Sequence, residues 1–254
     1  MFGSKLEQIQ IYAQLLAGAG VERGLIGPAE KARLWDRHLL NSGAVAELVS
    51  GMPAGPGALP PAESHVVAPR ASGARADAAS RGWTKGLASP EPVKLADLGS
   101  GAGLPGLVLA IMLPEVQVIL VEPMARRARF LHECVAELAL GNVEVRRARA
   151  EELAGEIQAD VVTARAVASL SRLAVLASAL ARPGGLVLAI KGASAGQELD
   201  RALPVLRELH VIEAEIVAAG AGLLDCPTTV VRFRTGPDLV PGRRSQRGHG
   251  TASS

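Results

Sequence analysis

Aromatic residues are the scarcest feature of this chain, since phenylalanine, tryptophan and tyrosine together make up only 2% of its 254 residues. Proteins that bind unpaired bases without sequence preference stack them on aromatic rings, so a stacking surface of that kind is not indicated. Cysteine is also rare, and the spacing of Cys134 and Cys226 fits neither a metal site nor a disulfide framework in a chain of this length. Such cysteine usage is typical of the reducing cytoplasm.

Long apolar runs are missing as well. No stretch approaches the roughly 20 apolar residues of a membrane span, and the chain does not open on the charged and then apolar pattern of a signal peptide. We therefore expect a soluble, cytoplasmic protein with no membrane partner. The formal net charge is only +2, with 22 arginines and 5 lysines, so composition by itself is weak support for a nucleic-acid partner.

Composition divides the chain into four predicted parts. Residues 1–50 carry apolar residues at helical spacing and are predicted to form an N-terminal helical cap. In residues 51–92, alanine, glycine, proline and serine supply 27 of 42 positions, which predicts a disordered insertion because such a segment buries too little apolar surface to fold. Residues 93–235 are predicted to form a folded core, and residues 236–254 a disordered basic tail.

Strand and helix patterns alternate through the predicted core. The strand candidates are nearly all apolar, as in a parallel sheet that is buried on both faces. They lie at residues 93–98, 116–122, 143–148, 159–163, 186–191, 210–217 and 228–234, with helices at 106–113, 126–140, 170–180 and 196–206. Only a loop separates the last two strands, which indicates a hairpin. The sequence therefore predicts a Rossmann-like α/β core, a seven-stranded and mostly parallel sheet whose last strand is antiparallel.

The most informative segment is VKLADLGSGAGLPG at residues 93–106, which is followed by QVILVEP at residues 117–123. It has the pattern of a strand, a glycine-rich turn, a helix start and a second strand that ends in an acid. The turn contains three residues that permit positive φ and a close approach of the backbone to a ligand, Gly99, Gly101 and Gly103. Glu122 ends the second strand, where a carboxylate can accept hydrogen bonds from two ribose hydroxyls.

Two cofactor fingerprints overlap in this turn. Residues 101–106, GAGLPG, fit the G-x-G-x-x-G pattern of dinucleotide-binding proteins. Residues 97–103, DLGSGAG, fit the D-x-G-x-G-x-G pattern of S-adenosylmethionine (SAM) methyltransferases. The apolar run ends at Leu98, so the tight turn begins at Gly99, which gives the methyltransferase spacing. Asp97 stands where dinucleotide-binding proteins usually have an apolar residue, and this too favours SAM.

Ligands of such sheets bind at the carboxyl ends of the strands, where two further segments of this chain are expected. Ala150 and Glu151 follow the third strand, where a backbone amide and a carboxylate can meet an adenine edge. Arg165 follows the fourth strand. Each side chain has an alternative interpretation, since Glu151 also suits the first turn of a helix and Arg165 a solvated surface.

Six blocks of sequence together resemble a known family. They are LWDRHLLNS (34–42), LADLGSGAGLPG (95–106), LVEPMARRARFL (120–131), NVEVRRARAEEL (142–153), ARAVASL (164–170) and LAIKG (188–192). These blocks resemble the bacterial 16S rRNA guanine-N7 methyltransferases of the glucose-inhibited-division-B (GidB) family, in an arginine-rich and alanine-rich style that looks actinobacterial. The resemblance covers residues 20–50 and 93–232, which is most of the predicted folded chain.

The resemblance implies a class I SAM-dependent methyltransferase that methylates N7 of one guanine in 16S rRNA, in the loop near the decoding site. We further expect the small ribosomal subunit as a partner, a monomer, and no metal. The cofactor-binding residues that the resemblance and the glycine turn together indicate are Gly99, Gly101, Gly103, Leu104, Glu122, Ala150, Glu151 and Arg165.

Guanine N7 carries a lone pair and no proton, so its methylation needs alignment with the methyl donor and no dedicated general base. In agreement, the chain has neither the Asn/Asp-Pro-Pro-Tyr tetrad of amino-group methyltransferases nor a catalytic cysteine arrangement. Basic residues around the expected site are predicted to contact RNA. They are Arg37, His38, Arg126, Arg127, Arg129 and Lys191. Helix capping or packing also explains the histidine and a solvated helix face the three arginines after the second strand, whereas Lys191 stands at the ligand edge of the sheet.

The sequence leaves three other functions open. The chain could methylate a small molecule with the cap as a lid, or bind SAM or a nucleotide without catalysis. It could also be a nicotinamide-dependent oxidoreductase, through the overlapping dinucleotide fingerprint. Transfer of labelled methyl from SAM to ribosomal subunits, and the binding of SAM against that of NAD, distinguish these alternatives.

Overall fold

A computed structural model describes residues 1–50, 91–165 and 168–237 of the chain. The predicted insertion (51–92) and the predicted basic tail (236–254) lie almost entirely outside these ranges, and both stay predictions. Within the described ranges, no helix is long and apolar enough to cross a membrane.

Seven strands form one mixed sheet, in the order β3-β2-β1-β4-β5-β7-β6. The strands are β1 (Lys94–Leu98), β2 (Gln117–Val121), β3 (Val143–Arg146), β4 (Ala159–Arg165), β5 (Ala181–Ile190), β6 (Ile212–Ala219) and β7 (Thr228–Arg234). Neighbouring strands are parallel from β3 to β5, whereas β7 is antiparallel to both β5 and β6. Among the described strands β7 alone runs against the others, which confirms the predicted mostly parallel sheet with an antiparallel last strand.

The predicted strands agree with the observed ones to within two residues at each end, except at the start of β5. We predicted a start at residue 186, whereas β5 begins at Ala181 and includes the Arg-Pro-Gly-Gly segment. Ala181 pairs with Ala159 of β4, and the carbonyl of Gly185 accepts a hydrogen bond from Thr235 N at 3.0 Å. These long-range pairings keep the segment extended although its composition is typical of a loop.

Helices cover both faces of the sheet. They are α1 (Leu6–Leu15), α2 (Asn41–Ala44), α3 (Ala46–Val49), α4 (Gly106–Met112), α5 (Ala125–Glu137), α6 (Leu170–Leu180) and α7 (Ala195–Glu208), with 3-10 or π-helical segments at Gly3–Lys5, Leu16–Gly20, Pro28–Arg33, Leu34–Leu40 and Ala150–Leu153. Successive residues of a strand point to opposite faces, so the buried residues divide into two clusters. Leu95 and Leu120 pack with α1, α4 and α5, while Ala96 and Val121 pack with α6 and α7.

Residues 1–50 pack on the face of the sheet that carries α4. Ile9 of α1 and Leu39 are fully buried there, within the same apolar cluster as the strands. The carboxylate of Glu47 accepts a hydrogen bond from Gly220 N at 2.8 Å, which ties this segment to the loop after β6. The N-terminal segment therefore shares one core with the sheet.

The carboxylate of Asp97 joins three elements at the carboxyl end of β1. One oxygen accepts a hydrogen bond from Gly106 N, at the start of α4, and the other from Thr163 Oγ1 of β4, both at 3.1 Å. Gly106 leaves no room for a larger residue, because a Cβ there would lie 2.6 Å from the Asp97 carboxylate. Burial raises the pKa of Asp97 from 3.8 to about 6.

Asp97→Asn should remove one part of the pH dependence of stability. A raised carboxyl pKa means that the native state favours the protonated form. The stabilisation that the protonated carboxyl contributes to the native state is complete below pH 3.8 and is lost as the pH rises through about 6. The rise of the Asp97 pKa from 3.8 to about 6 corresponds to about 3 kcal/mol in the free energy of unfolding.

Urea unfolding from about pH 4 to about pH 7 checks this expectation. The stability of the wild type relative to Asp97→Asn should decrease by up to that amount as the pH rises, because asparagine stays neutral throughout. Identical pH profiles for the two proteins would contradict the raised pKa of Asp97.

Candidate active site

The turn between β1 and α4 lines a cavity at the carboxyl ends of the parallel strands. Gly101 and Gly103 have φ values of 58° and 97°, a left-handed backbone that favours glycine. A Cβ at Gly103 would lie 2.8 Å from both Leu107 Cγ and the Tyr12 hydroxyl, so this position admits no side chain. Gly101 borders the cavity, and a Cβ there would come within 4 Å only of the Gly99 carbonyl oxygen, at 3.8 Å.

Glu122 follows β2 and is held at the cavity by backbone amides. The residue is 1% exposed. Its Oε2 accepts a hydrogen bond from Gly101 N and its Oε1 from Met124 N, both at 2.9 Å. Arg127 Nη1 lies 3.8 Å from Oε2. Each carboxylate oxygen has a further lone pair, so Glu122 can also accept from a donor in the cavity, such as a ribose hydroxyl.

The cavity has a volume of about 570 Å³, inside the range of about 300–1,000 Å³ that is usual for small-molecule sites. Seven of the eight residues predicted to bind the cofactor line it, namely Gly99, Gly101, Leu104, Glu122, Ala150, Glu151 and Arg165. Gly103 does not line it and packs against Tyr12 instead. The cavity lies where the chain crosses from β3 to β4 on the far side of β1, the position at which open α/β sheets bind ligands.

The six basic residues predicted to contact RNA are placed differently from one another. His38 and Arg127 line the cavity. Three others are exposed and do not line it, Arg37, Arg126 and Arg129. The remaining residue, Lys191, lies outside the cavity lining as well.

Lys191 is occupied by neighbouring protein groups. Its side chain is 6% exposed, and its ammonium group lies 2.9 Å from the carboxylate of Glu198. The same group donates a hydrogen bond to the carbonyl of Ala168 at 2.8 Å. Lys191 therefore links the start of α7 to the segment that precedes α6.

Several residues that line the cavity were missed by the sequence analysis. Arg172 of α6 pairs with Glu151 at 2.5 Å, and Leu25 and Ile26 come from the N-terminal segment. Arg149, which directly precedes Ala150 in the segment expected at this edge of the sheet, also lines the cavity. The others gave no signal, because their contacts depend on how distant helices pack.

Tyr12 supports the glycine turn from the side away from the cavity. Its hydroxyl donates a hydrogen bond to the carbonyl of Ala102 at 2.7 Å, and the side chain is fully buried. Burial raises the pKa of Tyr12 well above its usual value, so the hydroxyl keeps its proton. No sequence pattern singled out this residue, because its contact with the turn depends on how α1 packs on the sheet.

Arg165 ends β4 and meets the N-terminal segment. Its Nη2 donates a hydrogen bond to the carbonyl of Arg37 at 2.9 Å and lies 3.0 Å from His38 Nδ1. His38 Nε2 lies 2.9 Å from a carboxylate oxygen of Glu30. Burial lowers the pKa of both Arg165 and His38. A half-buried guanidinium and a neutral imidazole therefore face the cavity together.

These groups suit the parts of SAM. Glu122 offers acceptors for the ribose hydroxyls, Ala150 and Glu151 offer a backbone amide and a carboxylate for adenine, and Arg165 offers a cation for the methionine carboxylate. The strand order with β7 reversed, the glycine turn after β1 and the acid after β2 define the class. The fold and site are those of a class I SAM-dependent methyltransferase.

Comparison with known proteins narrows the class to a family. Residues 86–223 match the family model GidB, rRNA small subunit methyltransferase G. The chain is 41% identical over 253 residues to the ribosomal RNA small subunit methyltransferase G of Thermobifida fusca. The matched region covers 97% of this chain and 90% of that protein. For the protein of the same name from Mycobacterium leprae (strain TN) the identity is 42% over 244 residues, with coverages of 94% and 82%. The chain belongs to the GidB family, as the resemblance of its sequence blocks predicted, and SAM is its cofactor.

Gly101→Val should abolish SAM binding while leaving the fold in place. The new side chain would project into the cavity from a backbone with φ of 58°, which a β-branched residue tolerates poorly. Gly222→Val is the matched control, because Gly222 has φ of 79° and no heavy atom within 4 Å of an added Cβ.

Calorimetric titration with SAM and thermal unfolding check the pair. Both variants should lose about 1–3 kcal/mol of stability through backbone strain, and only Gly101→Val should lose binding. SAM affinity at the wild-type value in Gly101→Val would exclude the glycine turn as the cofactor site.

Tyr12→Phe should weaken SAM binding although Tyr12 does not line the cavity. The variant leaves the carbonyl of Ala102 without its buried donor and so loosens the turn, at a cost of about 1–3 kcal/mol. Thr228→Val is the matched control, because it removes another buried hydroxyl that donates to a backbone carbonyl, that of Asn41 at 3.0 Å.

Calorimetric titration with SAM and thermal unfolding also compare Tyr12→Phe with Thr228→Val. Similar losses of stability are expected in both variants, with a raised Kd for SAM only in Tyr12→Phe. Equal SAM affinities in the two variants would show that Tyr12 supports the fold and not the cofactor site.

Proposed function

We propose that this chain transfers the methyl group of SAM to N7 of a guanine in 16S rRNA. Membership of the GidB family supports the rRNA substrate. Relatives that are 41% and 42% identical over nearly the whole chain are named ribosomal RNA small subunit methyltransferase G.

The observation that supports N7 as the acceptor atom is that the acids and the histidine lining the cavity are already engaged. Within the described residues, two backbone amides hold Glu122, Arg172 pairs with Glu151, and His38 lies between an acid and an arginine. None of these groups is placed to take a proton from an acceptor. Guanine N7 attacks through a lone pair and has no proton to lose, so it suits a site without a general base.

SAM, when bound, supplies a methyl group on a positively charged sulfur. The residues of the chain then act by position, since alignment of donor and acceptor is itself a large contribution to the rate. We assign Glu122 to the ribose and Arg165 to the methionine carboxylate. Leu25, Ile26 and Leu104 add apolar surface to the cavity and so reduce access of water to the reacting atoms.

We assign RNA contacts to the arginines at and near the cavity. Arg127 lines the cavity, and three exposed arginines complete the set, Arg37, Arg126 and Arg129. Guanidinium groups suit phosphate because they present paired donors, and such contacts weaken as salt concentration rises. The side chains of His38 and Lys191 are only 12% and 6% exposed and are bound to acids of the protein, so we assign them to holding the site together.

The proposal extends to the organisation of the molecule. Residues 1–50 act as a cap beside the cavity, and residues 93–235 form the catalytic core. The enzyme acts as a monomer in the cytoplasm, where its partner, the small ribosomal subunit, is assembled.

Mapping of N7-methylguanosine in 16S rRNA tests the proposed function. The protein and SAM are incubated with free 16S rRNA, or with small subunits, from cells that lack the modification. Cleavage at N7-methylguanosine followed by primer extension should then show one new site. Gly101→Val should produce none, and Gly222→Val should produce it.

The outcomes of this mapping are distinct. The same incubation with SAM that carries a labelled methyl group shows which molecules receive it. Label in small metabolites, and none in rRNA, would contradict the rRNA substrate. Label in 16S rRNA without a cleavable site would contradict N7 as the acceptor. The two substrate preparations show whether the free RNA or the assembled subunit is methylated.

A further inference from the structure

Three polar side chains form a line of hydrogen bonds from the N-terminal segment to the cavity. A carboxylate oxygen of Glu30 lies 2.9 Å from His38 Nε2, and His38 Nδ1 lies 3.0 Å from Arg165 Nη2. Glu30 belongs to the turn Pro28–Arg33, His38 to the segment Leu34–Leu40 and Arg165 to the end of β4. His38 and Arg165 line the cavity, whereas Glu30 does not.

The chemistry of the two partners determines the protonation of His38. A carboxylate only accepts hydrogen bonds, and a guanidinium only donates them. Both contacts are satisfied only when His38 is neutral, with its proton on Nε2 donated to Glu30 and its bare Nδ1 accepting from Arg165. A protonated His38 would direct an N–H and a positive charge toward Arg165.

The N-terminal segment engages only part of the Arg165 guanidinium. The two Nη2 hydrogens serve the carbonyl of Arg37 and the ring of His38, and Nη1 lies 3.4 Å from Ser42 Oγ. A guanidinium has five N–H groups. Counting partners only in residues 1–50, 91–165 and 168–237, the Nε hydrogen and one Nη1 hydrogen have no acceptor. These donors are available to a ligand in the cavity.

We propose that Glu30 and His38 are positioning residues, which hold Arg165 so that its remaining donors bind the carboxylate of the methionine part of SAM. The inference rests on the proposed function, because it requires SAM as the ligand. The carboxylate is the one anionic group of SAM, and the sulfonium and ammonium groups repel a guanidinium. Glu30 acts through His38, and His38 acts through Arg165.

The surroundings of His38 favour its neutral form. Burial is the largest influence, and it lowers the pKa of His38 below the usual 6.5. Arg165 on β4 and Arg37 on the same segment as His38 also disfavour the imidazolium, while Glu30 on the preceding turn favours it. His38 is therefore neutral at about pH 7 and gains a proton only in more acidic solution.

Calorimetric binding of three ligands tests the proposal. They are SAM, S-adenosylhomocysteine and 5′-methylthioadenosine, which lacks the amino-acid part and therefore the carboxylate. At about pH 8, His38→Phe should raise the Kd of the first two about tenfold, as expected for one weakened charge-assisted hydrogen bond. The Kd of 5′-methylthioadenosine should not change. Glu30→Ala should show the same pattern with a smaller rise.

The pH profile separates the charge of His38 from its packing. In the wild type, affinity for SAM should fall progressively as the pH is lowered from about 8 into the acidic range below the usual histidine pKa, where His38 gains its proton. His38→Gln retains a carbonyl acceptor for Arg165 and cannot be protonated, so its affinity should change less than about twofold. Asp97 titrates in the same range with a pKa of about 6 but is present in both proteins, so it does not account for the difference.

His132→Gln is the matched control, because His132 is an exposed histidine of α5 outside the cavity lining. It should keep the wild-type affinities and pH profile. Equal losses for all three ligands in His38→Phe, or the full acid loss in His38→Gln, would overturn the inference. If His38→Phe does not fold, His38→Gln and Glu30→Ala decide the question. A wild type that binds no SAM at any pH would instead contradict the proposed function.

Discussion

The buried carboxylate of Asp97 is the interaction on which the cofactor site depends. It lies at the end of β1 and accepts hydrogen bonds from Gly106 N at the start of α4 and from Thr163 Oγ1 of the neighbouring strand β4. The glycine turn is thereby anchored where it leaves β1 and where it enters α4, and its amide at Gly101 in turn holds Glu122. Burial of a charged carboxylate is unfavourable, and it therefore raises the pKa of Asp97. The carboxyl group nevertheless keeps its hydrogen bonds to Gly106 N and Thr163 Oγ1.

The N-terminal segment takes part in building the site as well as covering the sheet. Tyr12 reaches the glycine turn from the side away from the cavity, through the carbonyl of Ala102. His38 meets Arg165 at the cavity itself. Hydrogen bonds at the turn and at Arg165 thus connect the packing of this segment to the geometry of the cofactor cavity. A change in the packing of α1 or of the segment Leu34–Leu40 reaches the cavity through them.

Most of the fold was predictable because its signals are local. The apolar run that ends at Leu98 and the glycines that follow it mark the end of β1 and the turn, and Glu122 marks the end of β2. The short loop between the last two strands indicated the hairpin that makes β7 antiparallel. The start of β5 was misplaced because residues 182–185 have the composition of a loop, while pairing with β4 and the contact with Thr235 keep them extended.

The sequence by itself determined the class of fold, the cofactor fingerprint and the family, since each depends on residue type and spacing along the chain. Only the tertiary structure decided which basic side chains face the cavity, and it paired Lys191 with Glu198 away from it. The same holds for the links of the N-terminal segment to the site, of which the one through Tyr12 spans 90 positions and the one through His38 spans 127. Hydrogen bonds between such distant residues arise from the packing of helices on the sheet, and no local pattern carries that information.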